Sequence, residues 1–138
     1  MNSAFSRESV TGQGDVDEKQ KLGETALLWD NGELVGLAVC HCGGGTEAGS
    51  DTCYVKFGAV RPAKLAKRNF QRLLLACEGL AQLRKLSKLV AGVNLGRHRT
   101  YREMLAFGFR TEIQGVTMHR ANAVGYDRPT LFVMDDWR

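Results

Sequence analysis

The chain has 138 residues, with 43% hydrophobic and 25% charged side chains and a net charge of +4, the balance of one folded globular domain. No apolar run approaches the roughly 18 residues of a membrane span, and the polar Met1–Leu22 stretch lacks the apolar core of a secretory signal. The four cysteines therefore read as reduced cytoplasmic thiols, not as a disulfide framework.

The charge is unevenly spread. Residues 1–51 carry −6, residues 56–102 carry +11 with Glu78 as their one acid, and residues 103–138 carry −1. A basic block of that size marks a surface that meets anions, whether nucleic acid, phosphates or an acidic partner.

Residues 1–22 are too polar to bury apolar surface and are expected to be disordered, leaving 23–138 as a single domain. Glu24–Asp30 and Glu33–His41 read as two strands. Asn31-Gly32 between them signals a hairpin, because a type I′ turn needs positive φ at both central residues. A glycine-rich loop, 42–51, leads to a third strand at Cys53–Val60, completing an antiparallel meander.

After Arg61-Pro62 a helix is expected from within 62–69 to about Leu86. Phe70, Leu73, Leu74, Cys77, Leu80, Ala81 and Leu83 recur at three- and four-residue spacing and form its apolar stripe. Lys88–Asn94 reads as a short buried strand reached by a parallel crossover. A second helix is expected over Arg97–Phe107, ended by Gly108 in left-handed conformation. A strand at Arg110–His119 and an apolar run at Thr130–Met134 follow. The order β-β-β-α-β-α-β-(β) predicts an α/β or α+β domain: a mixed, mostly antiparallel sheet flanked by helices.

The meander, the strand ending in Val60-Arg61-Pro62, the Leu-rich helix, the next strand, and a short helix ending in Gly108-Phe109 resemble the GNAT superfamily of acyl-CoA-dependent N-acetyltransferases over roughly residues 24–120. Gly92-Val-Asn-Leu-Gly, Gly115-Val-Thr-Met-His and the terminal Asp135-Asp-Trp-Arg resemble the C-terminal part of a bacterial GNAT-like subfamily. The resemblance implies transfer of an acetyl group from acetyl-CoA to an amine. It assigns the amides of Ala59 and Val60 to pantetheine and Lys67 and Arg68 to the phosphates, with Asn69 also among the cofactor-binding residues. It places Asn94 and Tyr101 beside the thioester, with Tyr101 as general acid.

The chain departs from the family's pattern in three places. The loop Arg/Gln-x-x-Gly-x-Gly/Ala lets backbone amides approach a diphosphate, but here Leu65, Arg68 and Phe70 stand at its defining positions. Met104 occupies the usual tyrosine position, with Tyr101 three residues earlier on nearly the same helix face. Only 23 residues precede the first strand of the meander, too few for the family's opening strand and two helices. These departures imply weak or absent CoA binding and support a second reading, a non-catalytic GNAT-like module for dimerisation or partner binding.

No metal site is expected. Strand alternation sends His41 to the face opposite Cys40 and Cys42, and Cys53 has no paired partner at zinc-ligand spacing. His119 is a candidate general base only if it lines a cleft, and His98 has no recognisable partner. Arg61, Lys64, Lys67, Arg68 and Arg72 lack interleaved aromatics apart from Phe70, so a solvated basic face is preferred to a nucleic-acid interface. A homodimer, or pairing with a second GNAT-like domain, is expected, with Thr130–Met134 and Trp137 packing across an uncovered sheet face.

Overall fold

In a computed structural model of the chain, residues 5–8 (backbone), 23–116 and 127–135 are described. The elements are β1 (Phe5–Glu8), β2 (Gly23–Asp30), β3 (Glu33–Cys42), β4 (Thr52–Val60), α1 (Ala66–Leu83), β5 (Lys88–Ala91), α2 (His98–Phe107) and β6 (Val133–Asp135). They build a mixed α+β fold on one sheet ordered β1-β2-β3-β4-β5, with β6 paired to β4 as well. All pairings are antiparallel except β4–β5. That exception follows from α1, which carries the chain back over the sheet before β5 begins.

The β2–β3 hairpin closes at Asn31 (φ 49°) and Gly32 (φ 77°), the two positive angles a type I′ turn needs. Helix α1 buries Phe70, Leu73, Leu74, Cys77, Leu80 and Ala81. It ends where Lys85 turns left-handed (φ 56°) and the Leu86 N–H closes back on the Ala81 carbonyl at 2.9 Å. Helix α2 stops at left-handed Gly108.

Both helices join a single core on one face of the sheet, against Leu28, Ala38, Cys40, Cys53, Val55, Phe132 and Met134. The opposite face carries a row formed by register, Leu27–Leu37–Ala59–Val133, beside Val39 and Phe57, which pair with each other. No described helix or strand covers that row.

Three expectations are corrected. Phe5–Glu8, expected to be disordered, is an edge strand antiparallel to β2: pairing along β2 satisfies the backbone whatever the side chains are. The rest of 1–22 lies outside the described residues. The strand expected at Arg110–His119 is not formed over 110–116, and Ile113 and Val116 are 81% and 89% exposed. The apolar members Ile113 and Val116 suggest a strand, but the segment pairs with no neighbouring strand there. Residues 117–119, His119 among them, lie outside the described residues.

The third correction concerns the tail. The apolar run of 130–134 does not lie across the open face. It extends the sheet as β6 and turns Phe132 and Met134 into the chain's own core. Phe132 stacks on Phe70 with ring centroids 5.3 Å apart. Trp137 is outside the described residues.

Candidate functional site

Strand β4 is the hub of the molecule, and its two halves have different neighbours. Thr52–Val55 pair in parallel with Lys88–Ala91. Lys56 is then skipped in the ladder to β3, where Val39 faces Phe57 and Cys40 faces Val55, a bulge that bends the strand. Beyond it β4 and β5 part. Strand β6 fills the fork: Phe57, Gly58 and Ala59 pair with Asp135, Met134 and Val133, and the Asp135 N–H donates to the Gly92 carbonyl at 3.0 Å.

The fork is where the resemblance places the pantetheine, and its backbone groups are already engaged. The Val60 N–H donates to the Phe132 carbonyl at 3.3 Å. Ala59 has Leu37 on one side and Val133 on the other. Beneath them Met134 occupies the space over Gly58, where an added Cβ would fall 2.6 Å from the methionine's terminal carbon. Arg97, almost fully buried, donates to Asp135 at 2.6 Å. The Thr100 hydroxyl reaches the Leu131 carbonyl at 3.5 Å and Arg99 pairs with Asp127 at 3.0 Å. Helix α2 and the Arg97 that caps its start thus hold the C-terminal segment by three side chains.

The remaining residues of the expected site are each committed elsewhere. Arg68 donates to Asp30 at 2.8 Å and Lys67 pairs with Glu103 at 3.1 Å. Asn69 is buried, and its side-chain oxygen accepts from Arg72 at 3.3 Å. The Asn94 carboxamide oxygen accepts from the Gly96 N–H at 2.8 Å, shaping the turn into α2. The Tyr101 hydroxyl lies 3.2 Å from that of Thr111 and tethers the segment after α2. Met104, at the position the family gives to tyrosine, is buried in the core. His98 is exposed at the start of α2, and His41 pairs with Glu47 at 2.8 Å.

Comparison with family models, with curated proteins and with solved structures returns no match.

The geometry therefore has to stand by itself, and this donor set does not fit acetyl-CoA in the expected pose. The amide is taken, both cations are ion-paired, and Phe70 fills the place of the last glycine with a ring stacked on Phe132. Among the described residues no group of three or more His, Cys, Asp or Glu is placed to hold a metal. No described helix is long and apolar enough to cross a membrane.

Sequence reasoning missed a relation between the charge blocks. Among the described residues, nine of the twelve basic side chains of 56–102 stand in an ion pair (Lys56, Arg61, Lys67, Arg68, Arg72, Arg84, Lys88, Arg97 and Arg99). Their partners are Glu24, Asp30, Glu33 and Glu47 from before the block and Glu103, Glu112, Asp127 and Asp135 from after it. The acids this segment meets are the chain's own. The signal was present in the alternation of acidic, basic and acidic blocks. It reads as complementarity only once the meander and α2 are laid against α1.

Proposed function

We infer that the chain is a non-catalytic GNAT-like module that works by binding a partner, a second copy of itself or another GNAT-like domain, in preference to acetyl transfer. The closed fork carries this reading. The strand edge that would receive pantetheine is paired with β6 and hydrogen-bonded to the Phe132 that precedes it. The sheet face that no described helix or strand covers supplies the binding surface: half-buried Leu27, Leu37, Ala59 and Val133 form one row, with Val39 and Phe57 beside it, and Phe57 is 42% exposed. An apolar patch on a sheet face is a common interaction surface.

The N-acyltransferase reading keeps one favourable feature, the parting of β4 from β5 after Val55. It requires β6 to leave the fork before a thioester can enter. Isothermal titration of the whole chain with acetyl-CoA separates the two: no saturable heat is expected, and a sub-micromolar dissociation constant overturns the non-catalytic reading. Sedimentation equilibrium at tens of micromolar tests the partner. A species of twice 15.2 kDa, returned to monomer by Phe57→Lys, is expected for self-association, and a 15.2 kDa monomer rules self-association out.

A further inference from the structure

The four cysteines are spread over three elements but meet in space. Cys40 and Cys42 lie on β3, Cys53 on β4 and Cys77 on α1, all turned to the face where the helices pack. The Cys42 and Cys53 sulfurs are 3.7 Å apart, and Cys40 and Cys77 lie in the same core cluster.

Strand register separates these contacts. Cys42 and Cys53 are direct cross-strand partners. The next pair is hydrogen-bonded, Gly43 N–H to Thr52 carbonyl at 3.0 Å. In an antiparallel ladder hydrogen-bonded and non-hydrogen-bonded pairs alternate, so Cys42–Cys53 is a non-hydrogen-bonded pair. In such pairs the Cα atoms lie about 4.5 Å apart and the side chains are closest. That separation falls inside the range a disulfide accepts. Cys40 stands opposite Val55, which makes it a diagonal neighbour of Cys53 at about 7–8 Å, beyond a disulfide's reach without backbone movement. Cys77 is a full layer away on the helix.

The two partners also differ in access. Cys53 is fully buried, whereas Cys42 is partly exposed. Gly43, Gly44 and Gly45 follow Cys42 and place no side chains over it.

The geometry points to Cys42 and Cys53 as an oxidisable cross-strand dithiol, a modification site that takes peroxide-class oxidants. The Cys42 sulfur attacks the O–O bond of hydrogen peroxide, giving a sulfenic acid at Cys42 and one water. The Cys53 sulfur then attacks the Cys42 sulfur, the S–O bond breaks, and the hydroxyl leaves as a second water with the Cys53 proton. One peroxide is reduced and two thiols become one disulfide, which ties the two ends of the 43–51 loop together. Burial, followed by the neighbouring Cys53 thiol, pushes the Cys42 thiol up to about 12. Thiolate is therefore scarce at neutral pH, and the reaction is a slow one that needs sustained oxidant.

The test uses the full chain with hydrogen peroxide. Intact mass is expected to fall by two hydrogens per chain. Free thiols are then blocked under denaturing conditions with one alkylating reagent, and the disulfide is reduced and labelled with a second. Fragmentation should place the second label on Cys42 and Cys53 and the first on Cys40 and Cys77. Cys53→Ser should abolish the loss of two hydrogens and leave Cys42 as a sulfenic acid that dimedone traps. Cys42→Ala should abolish both. A second label on Cys40 or Cys77, covalently linked dimers, or stepwise oxygen gain without disulfide in the unmutated chain overturns the proposal.

Discussion

The two halves of β4 are made by different means. Its first half, Thr52–Val55, lies beside a parallel strand delivered by the helix that immediately follows, so the partners are close in sequence and their register comes with the crossover. Its second half, Phe57–Ala59, is completed by residues more than seventy positions away, and what holds them is specific: a stacked ring, a methionine over a glycine, a buried ion pair. The parallel half follows from connectivity. The antiparallel half depends on individual side chains and is the more vulnerable to single substitutions.

The largest test of that contrast is Phe132→Ala. Phe132 is buried against Phe70, and truncating a core phenylalanine costs about 3–5 kcal/mol. Chemical denaturation should show a loss of that size. Amide exchange should show lost protection at Val60, whose N–H donates to the Phe132 carbonyl, with the Val90 and Ala91 amides of the parallel half retaining more. Equal loss at both places would mean that β4 behaves as one unit.

Next in size is the ion pair closing the fork. Arg97 and Asp135 side chains are 9% and 15% exposed, so Asp135→Asn leaves a buried guanidinium with a weaker acceptor and is expected to cost about 2 kcal/mol. Arg61–Glu33, with side chains 57% and 72% exposed, provides the control. Glu33→Gln there should change stability by less than about 0.5 kcal/mol.

A smaller effect is expected at Gly58. An added Cβ meets the end of a flexible methionine, not backbone, so Gly58→Ala should cost about 1 kcal/mol. Combined with Met134→Ala, the double mutant should lose less than the sum of the singles, because the truncation removes the clash. Strict additivity would show that Met134 has already found another rotamer.

Legibility in the sequence divides along the same line. The hairpin at Asn31-Gly32, the α1 stripe, the crossover to β5 and the Gly108 stop are local signals, and each sets an element by itself. The tail's place was not local. Thr130–Met134 showed an apolar run, but only the bulge at Lys56 and the missing Cβ at Gly58 make room for it on its own β4. Nor could the sequence show that Arg68 meets Asp30 or Lys67 meets Glu103, since those pairings span more than thirty residues. The expected site was chosen by resemblance: Lys67, Arg68 and Val60 in it meet partners that only the fold brings near, whereas Asn69 and Asn94 bond locally, to Arg72 and Gly96. Among the cysteines the reverse holds: face alternation placed Cys40 and Cys42 together, while the match of Cys42 to Cys53 required the register.

The smallest effect is expected where the parallel half begins. Asp51 accepts hydrogen bonds from both the hydroxyl and the N–H of Ser87, and its carbonyl accepts from the Lys88 N–H at 3.2 Å, tying the start of β4 to the start of β5. The Ser87 hydroxyl, followed by the Ser87 N–H, holds the Asp51 carboxyl below its ordinary value of 3.8. A carboxyl whose pKa is depressed on folding adds stability above its unfolded value, and that stability is lost as pH falls through the folded value. Asp51→Asn should therefore lower Tm slightly at neutral pH. The gap between variant and parent should stay constant down to about pH 5 and close as pH falls below 3.8. A gap that persists unchanged into strong acid would show that the hydrogen bonds act through geometry alone and do not depend on the carboxylate's charge.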